Sequence, residues 1–558
     1  MTALLEVSGL SVRFGAADPV VADLSFSIGE GECVGLVGES GSGKSVTARS
    51  LLGLAGAGSR VDATGLRFDD VDLLRMSARR AQALRGRDIG FISQGALVAL
   101  DPLRPVGREI GDALRLHTSM GAGERADRVL ELLTDVGVPE PALRAGQRAD
   151  ELSGGLRQRA IIASAIALRP RLLIADEPTT ALDSTVQAGI LDLLARLREA
   201  GTAILLVSHD LAVIERLASR VVVMRRGQVV EQGDTAAVLR APRHPYTRQL
   251  IEAIPAGRPR GSRLVEMNRV DAAANATAQP RATSPSTAAP APGTAPATGT
   301  APATAPALIR ADGLTRRFGD RLAVDDVSFT LRRGQTLGVV GESGSGKTTV
   351  ARIVLAIDRP DAGTVMLDGA PWSALAESQR RSRRPRIGAI YQDALSSFDP
   401  RWTVGRIIAD ALSGGRSGSP GPEVAETLAM VGLPESVIAR RPRLLSGGQQ
   451  QRVAIARAIA PRPDVIVCDE PVSSLDTLVQ AQVLDLLDEL QRSLGIAYLF
   501  ISHDLGVVRH MSDDVLVMRH GRVLERGPVE AVFSQPQHPY TRELIAAARG
   551  AATPRASG

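Results

Sequence analysis

Two stretches of this chain carry the residue types that hold phosphate. GESGSGKS at residues 38–45 and GESGSGKT at residues 341–348 both satisfy G-x-x-x-x-G-K-[ST]. The glycines let backbone N–H groups curl around an anion, and the helix expected after each loop adds its positive end. The first cradle comprises Gly38, Glu39, Ser40, Gly41, Ser42 and Gly43, with Lys44 reaching the β/γ-phosphates and Ser45 placed to ligate Mg²⁺. The second comprises Gly341, Glu342, Ser343, Gly344, Ser345 and Gly346, with Lys347 and Thr348 in the same two roles. Apolar runs ending in Asp176-Glu177 and Asp469-Glu470 supply paired carboxylates. In each pair the Asp suits Mg²⁺ and the Glu suits polarising an attacking water. His209 and His503 each end a further apolar run and are candidate catalytic groups.

The lysine count sharpens this reading. Of 66 Lys and Arg residues only Lys44 and Lys347 are lysines, and both sit in the glycine-rich loops. A surface cation tolerates Arg for Lys. A phosphate loop needs a compact ammonium on a flexible stem, which a planar guanidinium does not imitate.

The other motifs repeat in the same order. LSGG recurs at residues 152–155 and 445–448, SHDL at 208–211 and 502–505, and HPYTR at 244–248 and 538–542. Two homologous domains follow, placed at residues 1–267 and 308–558. Residues 268–307 between them are dominated by Ala, Thr and Pro. They carry too little bulky apolar surface to offset ordering entropy, which predicts a flexible, disordered linker.

The elements that must position these motifs read as an α/β fold. Short apolar runs (CVGLVG, LLIAD, AILLVSH and their copies LGVVG, VIVCD, AYLFISH) alternate with longer amphipathic stretches. That pattern predicts buried parallel strands with crossover helices, and functional residues at strand C-terminal ends. Hydrophobics at 44% and charges at 23% exclude a wholly disordered chain and a multi-span membrane protein. No run of about 18 apolar residues occurs, and the first residues lack the pattern of a secretory signal. A net charge of +5 without a clustered basic stripe argues against a nucleic-acid partner. Two cysteines in separate halves suit a reducing compartment and no disulfide framework.

The order phosphate loop, Gln, LSGG, Asp-Glu, Leu-Asp, His resembles the ATP-binding subunits of ABC transporters over nearly the whole chain. The resemblance implies two tandem P-loop ATPase domains, each with a helical sub-domain, that pair head-to-tail within the chain. ATP and Mg²⁺ are the implied cofactors. Each ATP would lie between the P-loop of one half and the LSGG helix start of the other. Ser153, Gly154 and Gly155 would then face the site of Lys347, and Ser446, Gly447 and Gly448 that of Lys44. Gln94 and Gln392 match the Q-loop that senses Mg²⁺ and contacts the membrane subunits. Leu182-Asp183 and Leu475-Asp476 match the D-loop. Phe14 and Phe318 match the aromatic that stacks on adenine.

The HPYT tails resemble those of oligopeptide and dipeptide importer ATPases, a group that includes nickel and glutathione importers. LSGGLRQR in the first half resembles the D-type subunit, and LSGGQQQR in the second the F-type, so two usually separate subunits look fused. The implied system has two membrane permease subunits and an extracytoplasmic solute-binding protein, with this chain peripheral on the cytoplasmic face of the cell (inner) membrane. An exporter's ATPase and a soluble twin-ABC factor acting on ribosomes or DNA are the alternatives. The HPYT tails and the sparsely charged, Pro-rich linker, whose charged residues are Arg269, Asp271 and Arg281, speak against them. Many D-type members carry a cysteine cluster after HPYT. Residues 251–267 have no Cys here, so no iron–sulfur cluster is expected. SQGALVALDP also lacks the acid that follows the Gln in YQDALSSFDP, a departure that leaves open whether the two halves meet their permease partners equivalently.

Overall fold

The computed structural model describes residues 3–15, 17–93, 99–180, 182–265, 306–415, 421–473 and 475–550. Most of the predicted linker lies outside the described residues. Its last residue, Ala307, already opens the strand Ala307–Phe318 and pairs with Arg332.

Each half is built on a six-stranded sheet with the same strand order. In the first half the order is Gln228–Asp234, Arg220–Arg225, Cys33–Val37, Ala203–Val207, Leu172–Asp176, Ile89–Ile92. Every neighbouring pair is parallel except the hairpin of the first two strands. The second half repeats this with Thr336–Val340 in the place of Cys33–Val37. The strand carrying each motif is apolar along its length because both sheet faces are covered. Cys33–Val37, Leu172–Asp176 and Ala203–Val207 are buried at every residue.

A smaller antiparallel sheet covers one side of each main sheet, led by Ala3–Phe14 with Val21–Gly29 and by Ala307–Phe318 with Arg321–Arg332. A separate apolar cluster fills each of these layers. The helical sub-domain of the first half packs Val106–His117, Ala122–Asp135 and Gly154–Ile166 together. Its counterpart packs Val404–Ser413, Pro422–Met430 and Gly447–Ile459. One further buried apolar cluster runs through both halves, from Ile110 and Leu191 to Leu484 and Tyr540. Among the described residues no helix is long and apolar enough to cross a membrane.

Candidate nucleotide-binding and hydrolysis sites

Each glycine-rich loop joins a buried central strand to a helix, Lys44–Ser50 in the first half and Lys347–Val354 in the second. Gly43 and Gly346 precede these helices in left-handed conformation, φ 97° and 102°. A Cβ on Gly38 or Gly341 would collide with the carbonyl of Met224 or Met518. The loop therefore closes tightly only with glycine at these positions.

The lysines turn back over their own loops. Lys44 Nζ donates to the carbonyls of Gly38 and Glu39 at 2.6 and 2.9 Å, and Lys347 Nζ to those of Gly341 and Glu342 at 2.7 and 2.8 Å. Burial pulls the Lys44 pKa down against the opposing pull of Glu177, Asp476 and Asp176, and Lys347 behaves alike.

The carboxylate pairs stand at the C-terminal ends of Leu172–Asp176 and Val465–Asp469. Ser45 Oγ donates to Asp176 Oδ1 at 2.9 Å, and Thr348 Oγ1 to Asp469 Oδ1 at 3.3 Å. Asp176 Oδ2 is buried without a hydrogen-bond partner. Burial raises both aspartates above their ordinary range. A buried carboxylate with an oxygen to spare, beside a hydroxyl, is a donor set that fits a hard divalent cation.

Glu177 and Glu470 take left-handed backbone angles, φ 54° and 51°, that a non-glycine residue rarely adopts. Their N–H groups donate to Val207 and Ile501 on the neighbouring strands, both at 2.9 Å. Glu177 Oε2 meets His209 Nδ1 at 2.7 Å and accepts from Thr180 Oγ1 at 2.5 Å. In the second half Glu470 Oε2 meets His503 Nδ1 at 3.2 Å and accepts from Gln392 Nε2 at 3.1 Å. Gln94, the corresponding residue of the first half, lies outside the described residues.

The second site opens into a cavity of about 550 Å³ whose lining includes Phe318, Lys347, Thr348, Gln392, Glu470 and His503. Phe318 is 47% exposed there, with the Arg316 guanidinium 4.8 Å over its ring. Phe14 is instead half-buried against the apolar core of its own half. Asp183, from the first half, lines the same cavity. Its Oδ2 accepts the N–H of Ser343 at 3.3 Å, and Asp476 Oδ2 accepts the N–H of Ser40 at 3.4 Å. With its other oxygen each aspartate caps its own helix, Ser184–Glu199 or Thr477–Leu494. Beside them Ser184 Oγ donates to the His503 carbonyl at 3.1 Å and Thr477 Oγ1 to the His209 carbonyl at 2.7 Å.

Ser153 and Ser446 cap the helices Gly154–Ile166 and Gly447–Ile459. Among the described residues lining the cavity, Ser153, Gly154 and Gly155 do not appear. Gly155 and Gly448 pack instead on Val186 and Val479 of their own halves. The backbone N–H groups of each phosphate loop that are held from the opposite half thus bond the D-loop aspartates. The Leu-Asp motif locates these residues in the sequence, but their bonds to the opposite loop depend on how the halves meet. Arg321 also lines the cavity and donates to the Gly344 carbonyl at 2.9 Å. No sequence motif announces it, and Asp18 stands at the matching place in the first half.

Two complete phosphate loops, each with an Asp-Glu pair and a histidine at strand ends, define a tandem P-loop ATPase. Residues 21–180 and 324–473 match the ABC transporter model, and residues 230–280 and 524–556 match the oligopeptide/dipeptide transporter C-terminal region. The chain belongs to the ABC transporter family and is one of its ATPases. It is 43% identical to the peptidoglycan transport ATP-binding protein YejF of Agrobacterium fabrum, over 98% of this chain and 96% of the relative. It is 39% identical to the glutathione import ATP-binding protein GsiA of Escherichia coli O157:H7, over 98% and 89%. Over 40% of the chain it resembles the ATP-binding cassette MJ0796 in its dimer bound to ADP and Pi, 28% identical over 98% of that chain, with a TM-score of 0.37.

Proposed function

We propose that the chain is the energy-coupling subunit of an importer for peptides or a related small solute such as glutathione. It works with two membrane permease subunits and an extracytoplasmic solute-binding protein, as a peripheral protein on the cytoplasmic face of the cell membrane. The observation that carries this reading is the pairing of a full hydrolysis site with an HPYT tail in both halves, residues 1–267 and 308–558. The relatives named for peptidoglycan transport and glutathione import support the solute class.

The residues divide the work as follows. The loop amides, with Lys44 or Lys347, hold the phosphates. Ser45 with Asp176, and Thr348 with Asp469, would hold Mg²⁺, which neutralises phosphate charge when bound. Glu177 and Glu470 orient and polarise the attacking water, and His209 and His503 keep those carboxylates ionised. The D-loop bonds support a head-to-tail pairing in which each site takes residues from both halves.

The test is reconstitution with the permeases and binding protein in vesicles, measuring ATP-driven uptake of labelled oligopeptides, glutathione and peptidoglycan fragments. Uptake of one class, lost in the Glu177→Gln/Glu470→Gln double variant, is expected. Outward transport, or association with ribosomes in place of permeases, would overturn the reading.

A further inference from the structure

The tyrosines of the two HPYT motifs reach the phosphate loops. Tyr246 Oη accepts the backbone N–H of Glu39 at 3.0 Å, and Tyr540 Oη that of Glu342 at 3.1 Å. Both side chains are buried. A guanidinium covers each ring, Arg225 at 4.8 Å and Arg519 at 4.5 Å. The base of each tail is fixed as well. Glu231 accepts the N–H groups of Arg243 and His244 at 2.8 and 3.1 Å, and His244 Nδ1 accepts that of Tyr246 at 3.1 Å. Glu525 and His538 repeat this arrangement in the second half.

The next amide of each loop is held from the other half. In the first loop Glu39 N–H goes to Tyr246 and Ser40 N–H to Asp476. In the second Glu342 N–H goes to Tyr540 and Ser343 N–H to Asp183. The tail helices also cross between halves. Pro539–Gly550 packs on Ser184–Glu199, the helix that Asp183 caps. Pro245–Glu252 packs on Thr477–Leu494, the helix that Asp476 caps. Beyond it Leu264 and Val265 donate their N–H groups to Asp485 of that same helix, at 2.9 and 3.0 Å.

Tail, phosphate loop and opposite D-loop thus form one closed circuit, present twice. We propose that Tyr246 and Tyr540 are positioning residues for hydrolysis. Each sets the entry of its own phosphate loop in register with the other half's D-loop, so the HPYT tail couples the arrangement of the halves to the loop that holds phosphate. The coupling, though not the tyrosine–loop bond, rests on the head-to-tail reading above.

Tyr246→Phe and Tyr540→Phe in the full chain remove the acceptor and keep the ring beneath its arginine. Testing each tyrosine separately lets one decide if the other variant does not fold. Turnover at the affected site is expected to fall roughly 3- to 10-fold, the equivalent of one hydrogen bond. Deuterium uptake in residues 38–44, or 341–347, rises while that of the central strands stays unchanged. Combined with Asp476→Asn, which acts on the same loop, Tyr246→Phe gives less than the product of the two effects. With the second site silenced by Glu470→Gln, Asp183→Asn, which acts on the other loop, leaves the Tyr246→Phe loss unchanged. Wild-type turnover and uptake in both tyrosine variants overturn the proposal while leaving the head-to-tail reading intact. A Tyr246→Phe loss beside a silent Asp476→Asn upholds the tyrosine's role and overturns its coupling to the other half.

Discussion

His209 Nδ1 lies 2.7 Å from Glu177 Oε2, and the second half repeats the pair with His503 and Glu470 at 3.2 Å. Burial alone would neutralise all four groups. The bond within each pair outweighs it, so each glutamate sits below its ordinary pKa and each histidine above. The carboxylate next to the phosphate loop is therefore ionised at neutral pH, as a general base must be. Both halves keep this arrangement, so both sites are expected to hydrolyse ATP. Glu177→Gln and Glu470→Gln should each lower turnover at its own site by on the order of 10²–10⁴. In steady-state ATPase assays each single variant is slower than wild type. An unchanged rate in either would mark that site as non-catalytic.

The same pairs set a pH dependence of stability. Each histidine's folded pKa lies above its ordinary 6.5, so its contribution is full below 6.5 and is lost as pH rises through the raised value. Each glutamate's folded pKa lies below its ordinary 4.5, so its contribution is full above 4.5 and is lost as pH falls through the lowered value. The pairs stabilise most between those two ordinary values. Thermal unfolding of His209→Gln/His503→Gln against wild type should show the largest gap in that window and a shrinking gap on the alkaline side. A gap independent of pH would contradict the ion pairs.

Lys44→Arg and Lys347→Arg, nominally conservative, should each disable its own site. The ammonium fits between two loop carbonyls at under 3 Å in a buried space, where a planar guanidinium does not. With the other site silenced by Glu→Gln, the expected loss is on the order of 10² in turnover. Near-normal turnover in either variant would sink this reading of the loops.

The fold and most of the site could be read from the sequence because phosphate chemistry uses short local motifs at strand ends. The loop glycines, the Asp-Glu pairs and the histidines were placed by their spacing alone. What was not legible depends on backbone strain and on distant contacts. Nothing in ADEP or CDEP shows that Glu177 and Glu470 take positive φ. HPYT reads as a family signature, and the sequence separation of 207 between Tyr246 and Glu39 hides their contact. The resemblance sets the LSGG helix starts against the opposite phosphate loops, and nothing in either motif shows that Ser40 and Ser343 N–H are held by Asp476 and Asp183 of the opposite half.

If each ATP site draws on both halves, as the D-loop bonds support, one set of double variants reads it out. Asp183→Asn keeps the acceptor that caps its own helix and removes the one that binds Ser343 of the second loop. Joined to Glu470→Gln, it strikes a site already silenced, and ATPase turnover should match that of Glu470→Gln alone. Joined to Glu177→Gln, it strikes the remaining site, and turnover should fall toward that of the Glu177→Gln/Glu470→Gln double variant. The reverse pattern, with Asp183→Asn silent beside Glu177→Gln and damaging beside Glu470→Gln, would show that each half builds its site alone.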